Sequence, residues 1–149
     1  MNIRKMRRGD VSKIEELEKE AFTVGPYDYK MLLLSYKMSK GMSIVVEEGD
    51  RIIGYGIAIP VDCKDADIES IGIHPQFQGK GIGKLIMQHL EDMMRKKGFE
   101  KSILEVREKN IPAIRLYKKM GYETTEFLEN YYEEFFEGSR NAFRMIKYL

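Results

Sequence analysis

The chain of 149 residues carries 25 lysines and arginines against 24 aspartates and glutamates, a formal net charge of +1, and 43% of it is apolar. That size and composition suit one folded domain over residues 1–149, and the near-neutral balance removes a long-range pull toward nucleic acid or an anionic membrane. The single cysteine, Cys63, excludes an internal disulfide and a multi-cysteine metal site, and no apolar run approaches the ~18 residues of a membrane span.

Met1 to Asp10 is basic but lacks the apolar segment of a secretory signal, so a cytoplasmic location is expected. Asn2 to Arg8 predicts a first strand. Asp10 or Ser12 then caps a helix with apolar positions 11, 14, 17, 21 and 22, which Gly25-Pro26 breaks. A second helix is predicted over Tyr29 to Met38. Its apolar residues Met31, Leu32, Leu34, Tyr36 and Met38 exceed one narrow stripe, so part of its surface is expected to face a ligand groove. Around the rigid Gly25-Pro26, the aromatics Phe22, Tyr27 and Tyr29 read either as walls of a substrate site or as an ordinary packed connector. Met42 to Glu47 and Arg51 to Ile59 then predict a hairpin around Glu48-Gly49-Asp50.

The central stretch is a strand, Ile68 to Ile73, stopped at His74-Pro75, followed by a glycine-rich turn and a helix. From Ile82 the apolar positions 82, 85, 86, 90, 93 and 94 mark one helical face, ending at Arg95-Lys96-Lys97 and Gly98. Helix N-termini normally attract Asp or Glu, and this one has neither in its first turn. Gly79, Gly81 and Gly83 bare the backbone while Lys80 and Lys84 add positive charge, so the missing anion is expected to be a ligand phosphate. The spacing fits neither a Walker loop nor a dinucleotide fingerprint. Lys101 to Val106 predicts another strand. Asn110 caps a helix with proline in its first turn that runs to Gly121, and Tyr122 to Leu128 and Asn141 to Tyr148 close the chain as strands. Cys63, His74 and His89 show no metal-ligand spacing, and no metal is expected.

Gln78-x-x-Gly81-x-Gly83, placed after a strand and opening a helix, resembles the pyrophosphate-binding motif Gln/Arg-x-x-Gly-x-Gly/Ala of the GCN5-related N-acetyltransferase (GNAT) superfamily. Leu104-Glu105-Val106-Arg107, Asn110, Ala113, Leu116-Tyr117 and Gly121-Tyr122 resemble the Leu-Glu-Val-Arg-x-x-Asn-x-x-Ala-x-x-Leu-Tyr-x-x-x-Gly-Phe signature of its N-terminal acetyltransferase branch. That branch includes ribosomal-protein alanine acetyltransferases and archaeal N-terminal acetyltransferases. The one departure is Tyr122 for phenylalanine. Tyr131-Tyr132 and Ala142-Phe143-Arg144-Met145 are similar to further segments of the branch, and the element order β α α β β β α β α β β extends the resemblance over essentially the whole chain.

The resemblance implies an α/β (α+β) fold, a mixed, mostly antiparallel twisted sheet of about seven strands flanked by about four helices. It implies acetyl-coenzyme A as co-substrate and transfer of its acetyl group to protein or peptide N-termini, those of a ribosomal protein among them, by a monomer or weak dimer. The loop Gln78, Gly79, Lys80, Gly81, Ile82, Gly83 and Lys84 would hold the phosphates, and the backbone of Ile71, Gly72 and Ile73 would pair with the pantetheine arm as an added strand. Asn110 and Tyr117 would also contact the co-substrate, while Tyr131 and Tyr132 would wall the peptide's first residues. Glu105 would collect the amine proton and Tyr117 would protonate the departing thiolate. An α-amine with a pKa of about 7.7 to 8.0 needs less help from a base than a lysine at about 10.4. The residues leave alternatives open: Glu105 as an ion pair of Arg107 or another cation, Tyr117 as a core aromatic, Glu69 as a rival base. They also leave open a lysine or small amine as acceptor, and a non-catalytic acyl-coenzyme A-binding module.

Overall fold

A computed structural model describes residues 1–149. The chain forms β1 (Asn2–Lys5), α1 (Val11–Ala21), α2 (Tyr29–Met38), β2 (Ser43–Glu48), β3 (Arg51–Pro60), β4 (Asp65–Ile73), α3 (Ile82–Lys96), β5 (Lys101–Arg107), α4 (Ile111–Lys119), β6 (Glu123–Leu128) and β7 (Ala142–Tyr148), with short 3-10 turns at Arg8–Asp10 and Pro75–Phe77. This is the expected element order.

β3 is buried on both faces from Ile52 to Ala58, because helices cover the sheet on either side. On one face Ile14, Leu17 and Leu32 from α1 and α2 pack on Val45, Tyr55 and Ile57. On the other, Ile86, Leu90 and Met94 from α3 pack on Ile44, Ile53 and Ile68. The close seat of α3 needs a bare strand: a Cβ at Gly56 would lie 2.5 Å from Ile86 Cγ2.

The seven strands lie in the order β1-β2-β3-β4-β5-β7-β6. All neighbours are antiparallel except β4 and β5, which are parallel and paired only at Asp65↔Lys101, Ala66↔Ser102 and Asp67↔Ile103. Beyond Asp67 the two strands part. A local cause lies on the other side of β4, where the register jumps from Ile57↔Ser70 to Ala58↔Ile68 and leaves Glu69 as an extra residue, a bulge that bends the strand.

Four sequence expectations change. The first strand stops at Lys5, because Asp10 accepts from the Arg7 N–H at 2.7 Å and from Arg4 at 2.8 and 2.9 Å, which folds the intervening residues into a tight turn. Asp10 therefore makes no side-chain cap to α1. That helix ends at Ala21, before Gly25-Pro26, where Phe22 turns extended with φ −124°. The outer apolar residues of α2, Met31, Leu34 and Met38, are exposed and do not line the groove described next.

Candidate active site

Where β4 and β5 separate, a cavity of about 550 Å³ opens. Its floor is Ile68 to Ile71 of β4 and Glu105 to Arg107 of β5, and its sides are Asn110 and Tyr117 on the α4 side, the segment Phe22 to Tyr27, and Tyr131, Tyr132 and Phe136 of the β6–β7 connection. On β4, consecutive residues can reach one cavity because the Glu69 bulge breaks the alternation of faces. Of the residues expected to bind substrate, Phe22, Tyr27, Tyr131 and Tyr132 line it, and Tyr29 does not. Tyr29 begins α2 on the outer side, where its N–H bonds Glu15 at 2.7 Å.

Glu105 and Tyr117 face this shared space. Glu105 accepts from Arg144 Nε at 2.9 Å across the β5–β7 register, so its cation is Arg144 and not the neighbouring Arg107. The Arg107 guanidinium instead stacks 4.0 Å from the Tyr132 ring and donates to the Glu134 carbonyl at 2.9 Å. Burial raises the pKa of the Tyr117 phenol, which keeps it a proton donor through ordinary pH. Glu69 receives the Tyr27 hydroxyl at 3.3 Å, and burial raises the Glu69 pKa, with the Glu105 charge adding to the effect. Glu18, beneath the same wall, accepts from the Tyr55 hydroxyl and from the Tyr27 N–H at 3.3 Å, and burial raises it too.

Sequence reasoning missed Asp67 and the bond to Arg144. Burial, and after it the neighbouring Glu105 carboxyl, pushes the Asp67 carboxyl up to about 9. A readable signal existed, since Asp65, Asp67 and Glu69 recur at every second position of a strand whose other residues, Ser70 apart, are apolar or glycine.

At the start of α3, Gly79 and Gly81 adopt φ 76° and 81°, the left-handed region that favours glycine. A Cβ at either would meet nothing within 4 Å, and the first helical turn holds no acid, so the backbone cradle is open to an anion. Lys80 lies over Phe77 with Nζ 5.3 Å from the ring centroid. Gln78 folds back, its amide donating to the Ile73 carbonyl at 3.0 Å, which occupies one group of the strand edge. Gly83 brings α3 against Ile73 and Leu116, with its would-be Cβ 3.3 and 3.7 Å from them. Asn110 accepts from Ala113 N–H at 3.4 Å as the α4 cap while also lining the cavity.

Residues 11–122 match the acetyltransferase (GNAT) family. The chain belongs to that family. Membership makes it an acyltransferase whose co-substrate is acetyl-coenzyme A, and the free β4 edge and open glycine cradle suit an extended arm ending in phosphates. An uncharacterized N-acetyltransferase of Methanocaldococcus jannaschii is 33% identical over 148 residues, 99% of this chain and 91% of that protein. A ribosomal protein bS18-alanine N-acetyltransferase of Haemophilus influenzae is 34% identical over 143 residues, 94% of this chain and 93% of that one. The crystal structure of Ard1 from Thermoplasma volcanium has the same fold, with a TM-score of 0.90 at 24% identity over 99% of this chain and 97% of that one.

Proposed function

We propose that this GNAT enzyme acetylates the α-amine of a protein or peptide N-terminus, with a ribosomal protein among its acceptors. The reading is supported by the meeting of Glu105 and Tyr117 with the aromatics of two loops in one cavity, and by the near full-length similarity to the bS18-alanine N-acetyltransferase.

When bound, acetyl-coenzyme A supplies an acetyl group activated as a thioester. The cradle of Gly79, Gly81 and Gly83 with Lys80 and Lys84 holds its phosphates, Ile71 and Gly72 offer backbone groups to its arm, and Asn110 closes the side. Tyr27, Tyr131, Tyr132 and Phe22 wall the acceptor and exclude water, while Glu18, Glu69 and Glu105 favour an incoming ammonium. Glu105 takes the proton that the amine must lose, and the Tyr117 hydroxyl gives one to the departing sulfur. Because an α-amine ionises near neutrality, one carboxylate suffices as base.

The deciding experiment is thiol release from acetyl-coenzyme A with peptides beginning Ala, Ser, Met and Met-Glu, each beside a lysine-containing version with a blocked N-terminus. Activity confined to free N-termini is expected. Turnover of the blocked lysine peptides alone would replace the reading with a side-chain acetyltransferase.

A further inference from the structure

Asp67 occupies the last position of β4 paired with β5, opposite Ile103, and Glu105 lies two residues further along β5, just past the fork. Asp67 Oδ1 is buried with no hydrogen-bond partner, and the register sets Asp67 beside Glu105 across the fork, close enough for each carboxyl to feel the other's charge. The charged and titratable groups facing it are Glu105 from β5, Glu69 from β4, Arg144 from β7 and Tyr131 from the β6–β7 connection. Two ionised carboxylates so placed, with one buried oxygen unsolvated and unbonded, repel each other strongly in a medium that screens poorly. One cation is at hand, and Arg144 gives its Nε to Glu105 at 2.9 Å. Arg144 thus favours the negative charge on Glu105, and burial favours the protonated form of Asp67.

We propose that Asp67 is a positioning residue that donates a hydrogen bond to Glu105 through a shared carboxyl proton. With Arg144 on the other side, it aims the Glu105 carboxylate into the acceptor cavity. The proposal rests on Glu105 being the proton acceptor of the acetyl transfer proposed above. Proton count is unaffected by Asp67: the N–C bond forms and the C–S bond breaks, the amine proton passes to Glu105, the sulfur takes the Tyr117 proton, and Asp67 keeps its own. Ionising Asp67 would place a second negative charge against Glu105 and push that carboxylate out of line, so activity is expected to fall on the alkaline side.

The test compares the intact enzyme with Asp67→Asn, which retains a neutral donor of the same shape, and Asp67→Ala, which retains none. Infrared difference spectra at pH 7.5 should contain the carbonyl band of a protonated carboxylic acid in the intact enzyme and lack it in Asp67→Asn. In peptide-dependent thiol release, Asp67→Asn should keep kcat within about threefold at pH 7.5 and lose the alkaline fall, whereas Asp67→Ala should lose on the order of ten- to a hundredfold in kcat with its KM for acetyl-coenzyme A unchanged. The proposal is overturned if the band is absent from the intact enzyme, if Asp67→Asn is as impaired as Asp67→Ala, or if the Asp67→Asn pH profile matches the wild type. Should the intact enzyme release no thiol with any peptide, the N-terminal reading fails, and the infrared comparison still decides whether the Asp67–Glu105 pair holds a proton.

Discussion

Arg144 and Glu105 face each other across the β5–β7 register, and the same guanidinium reaches Glu126 on β6 through Nη1 at 3.3 Å. Glu105 is thus an ion-paired carboxylate at a cavity wall. Replacing Glu105 by Gln keeps its shape and leaves Arg144 its Glu126 partner. The expected outcome is a fall in kcat on the order of a hundredfold, an unchanged KM for acetyl-coenzyme A, and a melting temperature near that of the wild type. Steady-state thiol release and a thermal melt check all three.

Tyr117 packs its ring edge-on to Tyr122 at 6.2 Å. Tyr117→Phe should therefore fold normally and lose kcat by about ten- to a hundredfold, because the sulfur must then leave without a nearby donor. An acetyl thioester with a more acidic leaving thiol should narrow the gap between mutant and wild type, since it needs the proton less. An unchanged gap would argue against the donor role.

Gly81 holds φ 81° at the start of α3 with open space around its would-be Cβ. Alanine there meets no steric wall, yet must adopt a left-handed backbone at a cost of roughly 1 kcal/mol. Gly81→Ala is expected to raise the KM for acetyl-coenzyme A several-fold with a small change in kcat. Isothermal titration with coenzyme A gives the binding change independently of turnover.

Gly72 answers to a different constraint. A Cβ at Gly72 would stand 2.5 Å from Cε1 of the Tyr55 ring, and Tyr55 is fully buried with its hydroxyl tied to Glu18 and Ser70. Gly72→Ala should cost about 1–3 kcal/mol of stability through overpacking, seen as a lowered urea midpoint. It should also disturb the wall carried by Glu18 and Tyr27, whose N–H bonds Glu18.

The pKa of Asp67 is raised in the fold, so the native state holds a proton that the unfolded chain releases from about pH 4 upward. Stability falls with pH wherever the native state binds more protons, so its Asp67-dependent part is greatest below pH 4 and declines until the native carboxyl itself ionises near 9. Asp67→Asn removes that slope. Its melting temperature should exceed the wild-type value by more at pH 8 than at pH 5.

The order of elements, the bounds of α2, the glycine turn and the opening of α3 at Ile82 were all legible, because periodicity, caps and breakers are local. So were the residues that matched a motif, and Glu105, Tyr117, Asn110, Phe22, Tyr27, Tyr131 and Tyr132 do share one cavity. Tyr29 lies outside that cavity, because its distance from Tyr27 in sequence says nothing about which way the chain turns into α2. The bulge at Glu69 carries no glycine or proline to announce it. The partner of Glu105 was open because cross-strand register depends on loops of unlike length, and only the assembled β5–β7 pairing brings Arg144 opposite.

The fork between β4 and β5 leaves the sheet joined across its middle by three residue pairs, whereas β5 and β7 share seven. The half containing β1 to β4 and the half containing β5 to β7 therefore meet at a narrow seam. A molecule lying along the open edge would complete the missing stitches, so filling that edge should also stiffen the junction between the two halves. Amide hydrogens of residues 68–72 and 104–107 would then exchange more slowly in the presence of coenzyme A, and the cavity, which borrows one wall from each half, would take its final shape only after that edge is filled.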